Sequence, residues 1–143
     1  MRVTNIANCK TIDEFVSYKC NALKSGEQTF FALFNLMFSE ENNIFWESND
    51  GYRIIKTTYG DVKKSICKKA YTLQEKLRRF EKGSVVGLYM QNGLEWIEIF
   101  WSILKCGYCP LLLNTRLDKN TLEDVIDRAG AKAIVSDGET FSV

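Results

Sequence analysis

The sequence predicts an α/β fold, namely a partial doubly wound parallel sheet with flanking helices and a small antiparallel hairpin. Short apolar runs at Val85–Met90, Leu111–Leu113 and Ala133–Val135 alternate with two helix-length segments, which gives a β-α-β-α-β order. Strands that are apolar throughout belong inside a parallel sheet. Asn49-Asp50-Gly51 is a strong turn signal between two further strand-like runs, and it predicts the hairpin.

Two helices are predicted before the hairpin. Thr11 and Glu14 form a capping box at the start of the first helix, the apolar residues that follow fall on one helical face, and Gly26 ends the helix. Phe30–Phe38 is the most apolar run of the chain and predicts a short, buried or half-buried helix. Because a membrane-spanning helix needs about 20 apolar residues, this run does not predict a membrane span.

The hairpin strands are predicted at Ile44–Glu47 and Tyr52–Lys56, and a long amphipathic helix is predicted at Tyr59–Phe80, closed by Gly83. We interpret the basic residues of this helix as a solvated outer face. The charge of the whole chain is balanced and no aromatic residue interleaves them, so neither nucleic acid nor an anionic membrane is an expected partner. These residues are Lys63, Lys64, Lys68, Lys69, Lys76, Arg78, Arg79 and Lys82.

Two further helices complete the predicted α/β core. Leu94–Cys106 carries a narrow polar stripe on an otherwise apolar surface, and Asn92-Gly93 is its predicted cap. Asp118 is the predicted cap of Thr121–Ala129, and Gly130 is the predicted left-handed stop. Each of these segments has the length and the apolar spacing of a helix packed on a sheet.

Length and composition indicate one soluble globular unit. The chain has 143 residues, a formal net charge of +1 and 45% hydrophobic residues, which gives no reason to expect a polyanionic partner. It has no His, the commonest general base and metal ligand. Met1–Lys10 lacks the apolar core of a secretory signal, so a cytoplasmic protein is expected. The predicted organisation is a helical lead-in at residues 1–43, a hairpin at 44–57 and an α/β core at 58–143.

The cysteines offer two alternative functions, and both are disfavoured. Cys106-Gly107-Tyr108-Cys109 is a C-x-x-C, but it follows a helix, whose negative end disfavours the thiolate that dithiol chemistry needs. Cys9 and Cys20 could nominally complete four zinc ligands, but their spacing matches no usual zinc knuckle. The chain has 5 cysteines, an odd number, which indicates reduced, buried thiols rather than a disulfide framework. No metal ligand is predicted.

Phosphate binding is the obvious expectation for an α/β chain, but the glycines form neither G-x-G-x-x-G nor a Walker loop. Asn92-Gly93 lies at a strand-to-helix turn, where an anion could meet backbone donors. It has no neighbouring Lys, Ser or Thr, so we interpret it as a helix cap. Asn114-Thr115-Arg116 follows the next strand, where ligand crevices of open sheets gather. A structural turn is the favoured interpretation there, and a substrate contact is the alternative.

Two ordered motifs carry a resemblance to a known family. Thr57-Thr58-Tyr59-Gly60-Asp61-Val62 is the first, and Leu104-Lys105-Cys106-Gly107-Tyr108-Cys109 followed by Leu113-Asn114 is the second, with Met90-Gln91-Asn92 and Glu95 between them. Together they resemble the early part of the adenylate-forming enzymes, the superfamily of acyl-CoA synthetases, luciferases and peptide-synthetase adenylation domains. Pro110 lies two positions before the place where many members carry proline, and Cys106 and Cys109 replace small or apolar residues.

The resemblance implies the N-terminal portion of the acyl-CoA synthetase-like fold. The intact enzyme would use ATP, Mg²⁺ and CoA to convert a carboxylic acid into its CoA thioester. The family's phosphate loop, its Tyr-Gly-x-Thr-Glu stretch, its ribose-binding Asp and its near-terminal catalytic Lys do not occur in residues 1–143. The resemblance therefore implies an inactive fragment with no catalytic, cofactor-binding or metal-binding residue of its own.

The branch of the family and a second class of function stay open. Leu112-Leu113-Asn114-Thr115-x-Leu117 looks more like acyl-CoA ligases, including the fatty-acid branch, than like amino-acid-activating domains, which tend to carry Asp at the position of Asn114. The alternative function is a free-standing, non-catalytic α/β interaction module. In the isolated fragment, truncation should expose an apolar edge of the sheet, which makes self-association an expectation.

Overall fold

The computed structural model describes residues 9–26, 28–137 and 139–143. Residues 1–8, which make up most of the segment where no secretory signal is expected, lie outside this part. The chain divides into two compact units, Met1–Lys63 and Lys64–Val143. The elements in chain order are α1 (Ile12–Ser25), α2 (Phe30–Met37), β1 (Ile44–Asn49), β2 (Ile54–Thr58), α3 (Tyr59–Leu77), β3 (Val85–Leu88), α4 (Leu94–Lys105), β4 (Cys109–Leu112), α5 (Lys119–Ala129), β5 (Ala133–Ser136) and β6 (Glu139–Ser142).

Helix α1 begins after the predicted cap, Thr11, but Glu14 bonds to the amide of the residue before the cap, so only half of the predicted capping box forms. The Glu14 amide donates to Thr11 Oγ1 at 3.1 Å, and Glu14 Oε2 accepts from the Lys10 amide at 2.6 Å. The apolar face of the helix is not buried, since Ile12 and Val16 are each 50% exposed. The half-buried residues of α1 are Phe15, Lys19 and Ala22, so the apolar periodicity did not show which side of the helix is covered.

Helix α2 and the hairpin share an aromatic cluster. Phe34 and Phe38 are buried with ring centroids 4.8 Å apart, whereas Phe31 is 61% exposed, so the predicted half-buried helix is confirmed. Phe45 on β1 meets Tyr59 edge to face at 4.8 Å. Stacked and edge-to-face aromatic pairs of this kind form the core of the first unit.

The hairpin pairs β1 with β2 antiparallel, but its loop lies two residues later than predicted, at residues 50–53 rather than 48–51. Asp50 Oδ1 accepts from the amides of both Tyr52 and Arg53 at 2.9 Å, and these hydrogen bonds lower the pKa of the Asp50 carboxyl. The prediction that Tyr52 and Arg53 begin the second strand is therefore wrong. Their N–H groups bond to the loop carboxylate, and the strand begins at Ile54.

The second unit is built on one four-stranded sheet with the order β4-β3-β5-β6. Strand β3 pairs in parallel with β4, Val85 opposite Cys109 and Leu88 opposite Leu112, and also in parallel with β5. The predicted parallel pairing is confirmed. Strand β6 was not predicted, and it pairs antiparallel with β5, which makes the sheet mixed.

Helices cover both faces of this sheet, as a doubly wound fold requires. One cluster joins buried residues of α3 and α4 to Val86 and Leu88 of β3. The other joins Ile126 of α5 to Leu113 and to the opposite face of the strands. On the side of the sheet that α5 covers, the Leu113 side chain packs closely against the backbone of Gly87, and a Cβ at Gly87 would lie only 2.9 Å from Leu113 Cδ1.

Two residues of the polar stripe of α4, Glu98 and Ser102, are buried against α3, whereas Glu95 is exposed. Lys69 of α3 forms ion pairs at 2.9 Å with both Glu95 and Glu98, and Glu98 is only 7% exposed. Burial acts to lower the pKa of Lys69, but its hydrogen bonds to Glu95 and Glu98 outweigh burial and the pKa is raised. The buried Ser102 hydroxyl donates to Ile66 O at 3.1 Å. The stripe thus forms a polar seam between the two helices.

Several helices and strands begin or end a few residues away from their predicted boundaries, and a hydrogen bond explains the shift at the start of β4. Strand β4 begins at Cys109 rather than Leu111, because the Cys109 amide donates to Ser84 O at 3.0 Å. Helix α3 ends at Leu77 rather than Phe80, and strand β3 ends at Leu88 rather than Met90. Within the described residues, none of the helices combines the length and the apolar character needed to cross a membrane.

Candidate functional site at the strand ends

A crevice opens where the parallel strands β3 and β4 end. It encloses about 460 Å³ and we call it the strand-end crevice. The carboxyl ends of parallel strands are where open α/β sheets gather ligands, since the chain leaves the sheet there in different directions. Its lining comprises Met90, Gln91, Asn92, Trp96, Leu112, Leu113, Asn114, Thr115 and Arg116.

The Asn114-Thr115-Arg116 segment is both a turn and a wall of the crevice. Asn114 Oδ1 accepts from the Arg116 amide at 2.9 Å, and Asn114 O accepts from the Leu117 amide at 3.2 Å. This arrangement is an Asx-turn, in which a side chain replaces a backbone acceptor. The predicted structural turn is confirmed, and the same residues line the strand-end crevice.

Two contacts between the strand ends link polar groups of the crevice wall. The Tyr89 hydroxyl donates to Thr115 O at 3.5 Å, and Gln91 Nε2 donates to Thr115 Oγ1 at 3.4 Å. Both bonds are long, so they position these groups only loosely. The wall presents amides, hydroxyls and the guanidinium of Arg116, which suits one polar or anionic group better than a triphosphate, which needs several cations.

The Asn92-Gly93 segment begins helix α4 as predicted, with Gly93 at the capping position. No side chain hydrogen-bonds to the helix there, so the cap lacks the side-chain bond that Asn would have supplied. Asn92 instead lines the strand-end crevice together with Trp96 of the first helical turn. Gln91 directly follows the apolar run Val85–Met90 in the sequence, and this position was the signal that could have predicted it as a crevice residue.

The opposite end of the sheet is closed by the C-x-x-C turn, which we call the amino-end turn (Cys106–Cys109). Lys82 Nζ donates to Cys106 O at 2.7 Å and lies 4.7 Å from the centre of the Tyr108 ring. The Tyr108 hydroxyl donates to Leu77 O at 2.9 Å. Lys82 therefore neutralises the negative end of helix α4. It is not part of a free basic face.

The two cysteines of the amino-end turn differ in environment. The Cys106 thiol donates to Ala70 O at 3.0 Å, and burial raises its pKa although Lys82 and Lys105 act in the opposite direction. Cys109 is exposed on β4. A thiol with a raised pKa is a poor nucleophile, so the geometry does not favour dithiol redox chemistry.

The expectation of buried cysteines is wrong for Cys20, Cys67 and Cys109, which are exposed. Cys20 lies on α1, which has no buried residue among those described, and Cys109 begins β4, an edge strand of the sheet. Only Cys9 and Cys106 are buried. Among residues 9–26, 28–137 and 139–143, the structure has no group of three or more His, Cys, Asp and Glu side chains arranged to hold a metal ion.

Six of the eight basic residues of α3 and its flank are exposed, as the interpretation of a solvated face predicted, but several of the eight form ion pairs. Lys63 pairs with Glu41 at 2.8 Å and Lys76 with Glu139 at 3.7 Å. Lys69 and Lys82 are engaged in the contacts described above. Among the described residues, no carboxylate oxygen lies within 4.0 Å of the cationic groups of Lys64, Lys68, Arg78 and Arg79, so pairing reduces the positive charge of this region without removing it.

A comparison with protein families identifies the chain. The model of a family described as AMP-binding enzyme matches residues 43–142. The chain belongs to the AMP-binding enzyme family. Both motifs that suggested the resemblance lie within the matched segment, the first where β2 passes into α3 and the second where α4 passes into β4.

Two curated relatives differ in the activity that their names state. A 2-succinylbenzoate–CoA ligase from Geobacillus is 31% identical over 84 residues, which are 59% of this chain and 17% of the ligase. A hydroxamate-type ferrichrome siderophore peptide synthetase from Schizosaccharomyces pombe is 25% identical over 95 residues, which are 66% of this chain and 2% of the synthetase. The chain thus spans a small part of the length of either relative.

Solved structures support the fold. The N-terminal subdomain of NpsA from Klebsiella oxytoca, solved with 3-hydroxyanthranilyl-AMSN, matches with a TM-score of 0.59 at 19% identity, over 76% of this chain and 26% of that one. The N-terminal domain of FACL13 from Mycobacterium tuberculosis matches with a TM-score of 0.52 at 24% identity, over 57% of this chain and 20% of that one. The described elements therefore have the fold of an N-terminal subdomain of adenylate-forming enzymes.

Proposed function

We propose that the chain forms the N-terminal subdomain of an ATP-dependent acid–thiol ligase, which adenylates a carboxylic acid and transfers the acyl group to CoA. The family match over residues 43–142 carries the proposal, because it contains both motifs in consecutive elements of one fold. The small share of each relative that the chain covers is consistent with a subdomain that acts together with further parts of an enzyme.

The chemistry requires groups that this chain does not supply. A carboxylate is a poor acyl donor, so it must attack the α-phosphorus of ATP and release pyrophosphate before a thiol displaces AMP. Such phosphoryl chemistry depends on clustered cations around the phosphates. The strand-end crevice offers one guanidinium, that of Arg116, so we assign no step of the reaction to it. Its proposed role is to hold the second motif in the conformation that the rest of the enzyme packs against.

The choice of CoA rests on Asn114 and on the CoA ligase among the relatives. Asn114 uses Oδ1 to close the turn, and an Asp at this position could accept the same bond. The residue type is therefore not imposed by the turn, which supports reading it as a mark of the family branch.

Two assays test the proposal. With the complete enzyme, we expect acid-dependent ATP–pyrophosphate exchange, followed by acyl-CoA formation that mass spectrometry detects. Acyl transfer only to a carrier protein would reject CoA as the acceptor, and an absence of exchange with fatty, aromatic and short-chain acids would reject the ligase. The isolated chain of 143 residues should show no exchange, and measurable exchange would contradict the assignment of the chemistry to other parts of the enzyme.

A further inference from the structure

Helix α1 carries a largely exposed apolar stripe, which we call the α1 stripe (Ile12, Val16 and Leu23). Ile12 and Val16 are each 50% exposed, and Leu23 is 39% exposed. At 3.6 residues per turn, the three side chains lie within about 40° of one another around the helix axis. The half-buried residues of α1 lie on a different side of the helix. The α1 stripe is therefore available to a partner without any change in how α1 packs on its own chain.

The apolar surface continues from the α1 stripe onto helix α2. Leu23 and Leu33 together line two cavities, one of about 390 Å³ and one of about 280 Å³. Leu33 is 37% exposed, and Met37, which lines the smaller cavity, is 46% exposed. A contiguous exposed apolar surface of this kind marks a site of protein–protein interaction. A partner that covers the α1 stripe can also bury Leu33 and Met37.

The charges beside the α1 stripe indicate which partner fits. The first turn of α1 is acidic, with Asp13, and the last turn is basic, with Lys24. Both lie on the same flank of the stripe, about 20° apart around the axis. Among the described residues, neither has an oppositely charged side chain within 4.0 Å. Two antiparallel copies of α1 bring the same flank together, so Asp13 of each copy would face Lys24 of the other.

We propose that α1 binds the α1 helix of a second copy of the chain in an antiparallel, twofold-symmetric pair that buries the α1 stripe. The antiparallel orientation also aligns the two helix dipoles favourably, whereas a parallel pair would bring like charges to the same level. The helix has 14 residues and is about 21 Å long, which gives an interface of the small, transient class. We expect a Kd on the order of 100 µM. The pairing does not depend on the proposed ligase activity.

Sedimentation velocity of the 143-residue chain from about 5 to 500 µM measures this pairing. Val16→Asp should weaken dimerisation at least about tenfold, because it places an unpaired charge in the buried stripe. Tyr18→Asp is the matched control and should leave dimerisation unchanged, since Tyr18 is exposed on the opposite side of α1. A monomer at all concentrations, which is the result expected if the stripe packs on another part of a larger enzyme, would overturn the proposal. A dimer that Val16→Asp leaves intact would overturn it as well.

Exchanged charges test the antiparallel orientation. Asp13→Lys and Lys24→Asp should each weaken dimerisation about threefold to tenfold, because each creates two like-charge contacts across the interface. The double exchange should restore affinity to within about twofold of the parent chain, since it restores both opposite-charge contacts. The helix dipole alone predicts the reverse order, with the double exchange as the weakest of the three. Single exchanges without effect, or a double exchange no stronger than the single ones, would reject the orientation.

Disulfide trapping tests the register of the pair. The register that places Asp13 opposite Lys24 brings Val16 close to Cys20 of the other copy, and Cys20 is exposed. With the other exposed cysteines, Cys67 and Cys109, replaced by serine, Val16→Cys should form a disulfide-linked dimer under mild oxidation. The same chain with Cys20→Ser added should not form the linked dimer. Linkage that survives Cys20→Ser, or no linkage in Val16→Cys, would reject this register.

Discussion

The two ends of the parallel strands differ in how completely their polar groups are satisfied. At the amino-end turn, Lys82 donates to Cys106 O at 2.7 Å, and the Tyr108 hydroxyl donates to Leu77 O at 2.9 Å from a side chain that is 3% exposed. At the strand-end crevice, the contacts of Thr115 with Gln91 and Tyr89 are 3.4 and 3.5 Å long and border about 460 Å³ of open space.

Within one sheet, the amino-end turn therefore contributes to stability, whereas the strand-end crevice presents polar groups that a ligand could contact. Short, buried hydrogen bonds at the amino end are costly to remove, whereas loosely held polar groups at the carboxyl end cost little to rearrange. Both ends belong to one motif, since the segment from Leu104 to Asn114 begins at the first and finishes at the second. Substitutions at the two ends should therefore have effects of different size on the free energy of unfolding.

The largest expected effect is at Tyr108. Tyr108→Ala should lower the free energy of unfolding by about 3–5 kcal/mol, because it leaves a cavity and removes the hydroxyl donor of Leu77 O. Tyr108→Phe should cost only about 1 kcal/mol, since it keeps the ring. Urea unfolding measures both. Tyr71→Ala is the control, at a side chain that is 72% exposed, and an equal loss there would refute the distinction.

The next largest effect on the free energy of unfolding is expected from substitutions of two glycines, Gly107 and Gly93. Gly107 has φ +78°, and a Cβ there would lie 3.3 Å from Lys82 Cδ, so Gly107→Ala should cost about 1–2 kcal/mol in unfolding free energy. Gly93, beside the strand-end crevice, has φ 172° and open space around it. Gly93→Ser should change stability by less than about 1 kcal/mol, toward stabilisation, because serine caps a helix. Equal destabilisation by both changes would contradict the comparison.

The cysteines provide a smaller, pH-dependent effect. Burial raises the pKa of Cys106, so the neutral thiol stabilises the fold below the ordinary thiol pKa of about 8.5, and this contribution is lost as pH rises through the raised value. We expect Cys106→Ala to show a shallower fall of unfolding free energy above about pH 8.5 than the parent chain. Cys109→Ser should keep the steeper fall, because Cys109 is exposed.

A labelling experiment checks the same assignment independently. An alkylating reagent near neutral pH should modify Cys109 in the folded chain and Cys106 only after unfolding. Modification of Cys106 at the rate of Cys109 would show that the amino-end turn opens readily, which its hydrogen bonds do not predict.

Sequence patterns predicted the sheet and its helices because each pattern reports on a local or periodic property. The capping residue Asp118 and the left-handed Gly130, at φ 63°, act within one turn of α5 and were predicted correctly. The apolar runs of β3 and β5 reported burial on both faces, and the parallel pairing followed. For the strand-end crevice, the sequence predicted only a turn at Asn114-Thr115-Arg116, with a substrate contact as the alternative.

What the sequence did not predict depends on partners distant along the chain. Strand β6 has a weak apolar pattern and forms by pairing with β5. Glu98 was interpreted as part of an ordinary polar stripe, yet it is buried because Lys69, on another helix, neutralises it. Thr140 Oγ1 is buried without a hydrogen-bond partner in the described part of the chain, and this is visible only once β6 is placed. Local patterns carry no information on such tertiary neighbours.

The smallest expected effect concerns the open edge of strand β4. The Cys109 amide donates to Ser84 O, just before β3, and the Leu113 amide donates to Leu88 O at the end of β3, both at 3.0 Å. By the alternation of a parallel ladder, positions 110 and 112 direct their backbone toward the open edge. Pro110 has no N–H, so it removes one of the two donors with which a second copy could pair.

Pro110→Val restores that donor and should increase self-association several-fold, as measured by sedimentation velocity across a concentration series. Leu112→Lys, at a side chain that is 54% exposed, should suppress the increase when the two changes are combined, because an edge charge opposes pairing. If Pro110→Val sediments as the parent chain does, the edge is not the route of association. A dimer that resists Leu112→Lys would assign association to another surface, such as the exposed apolar face of α1.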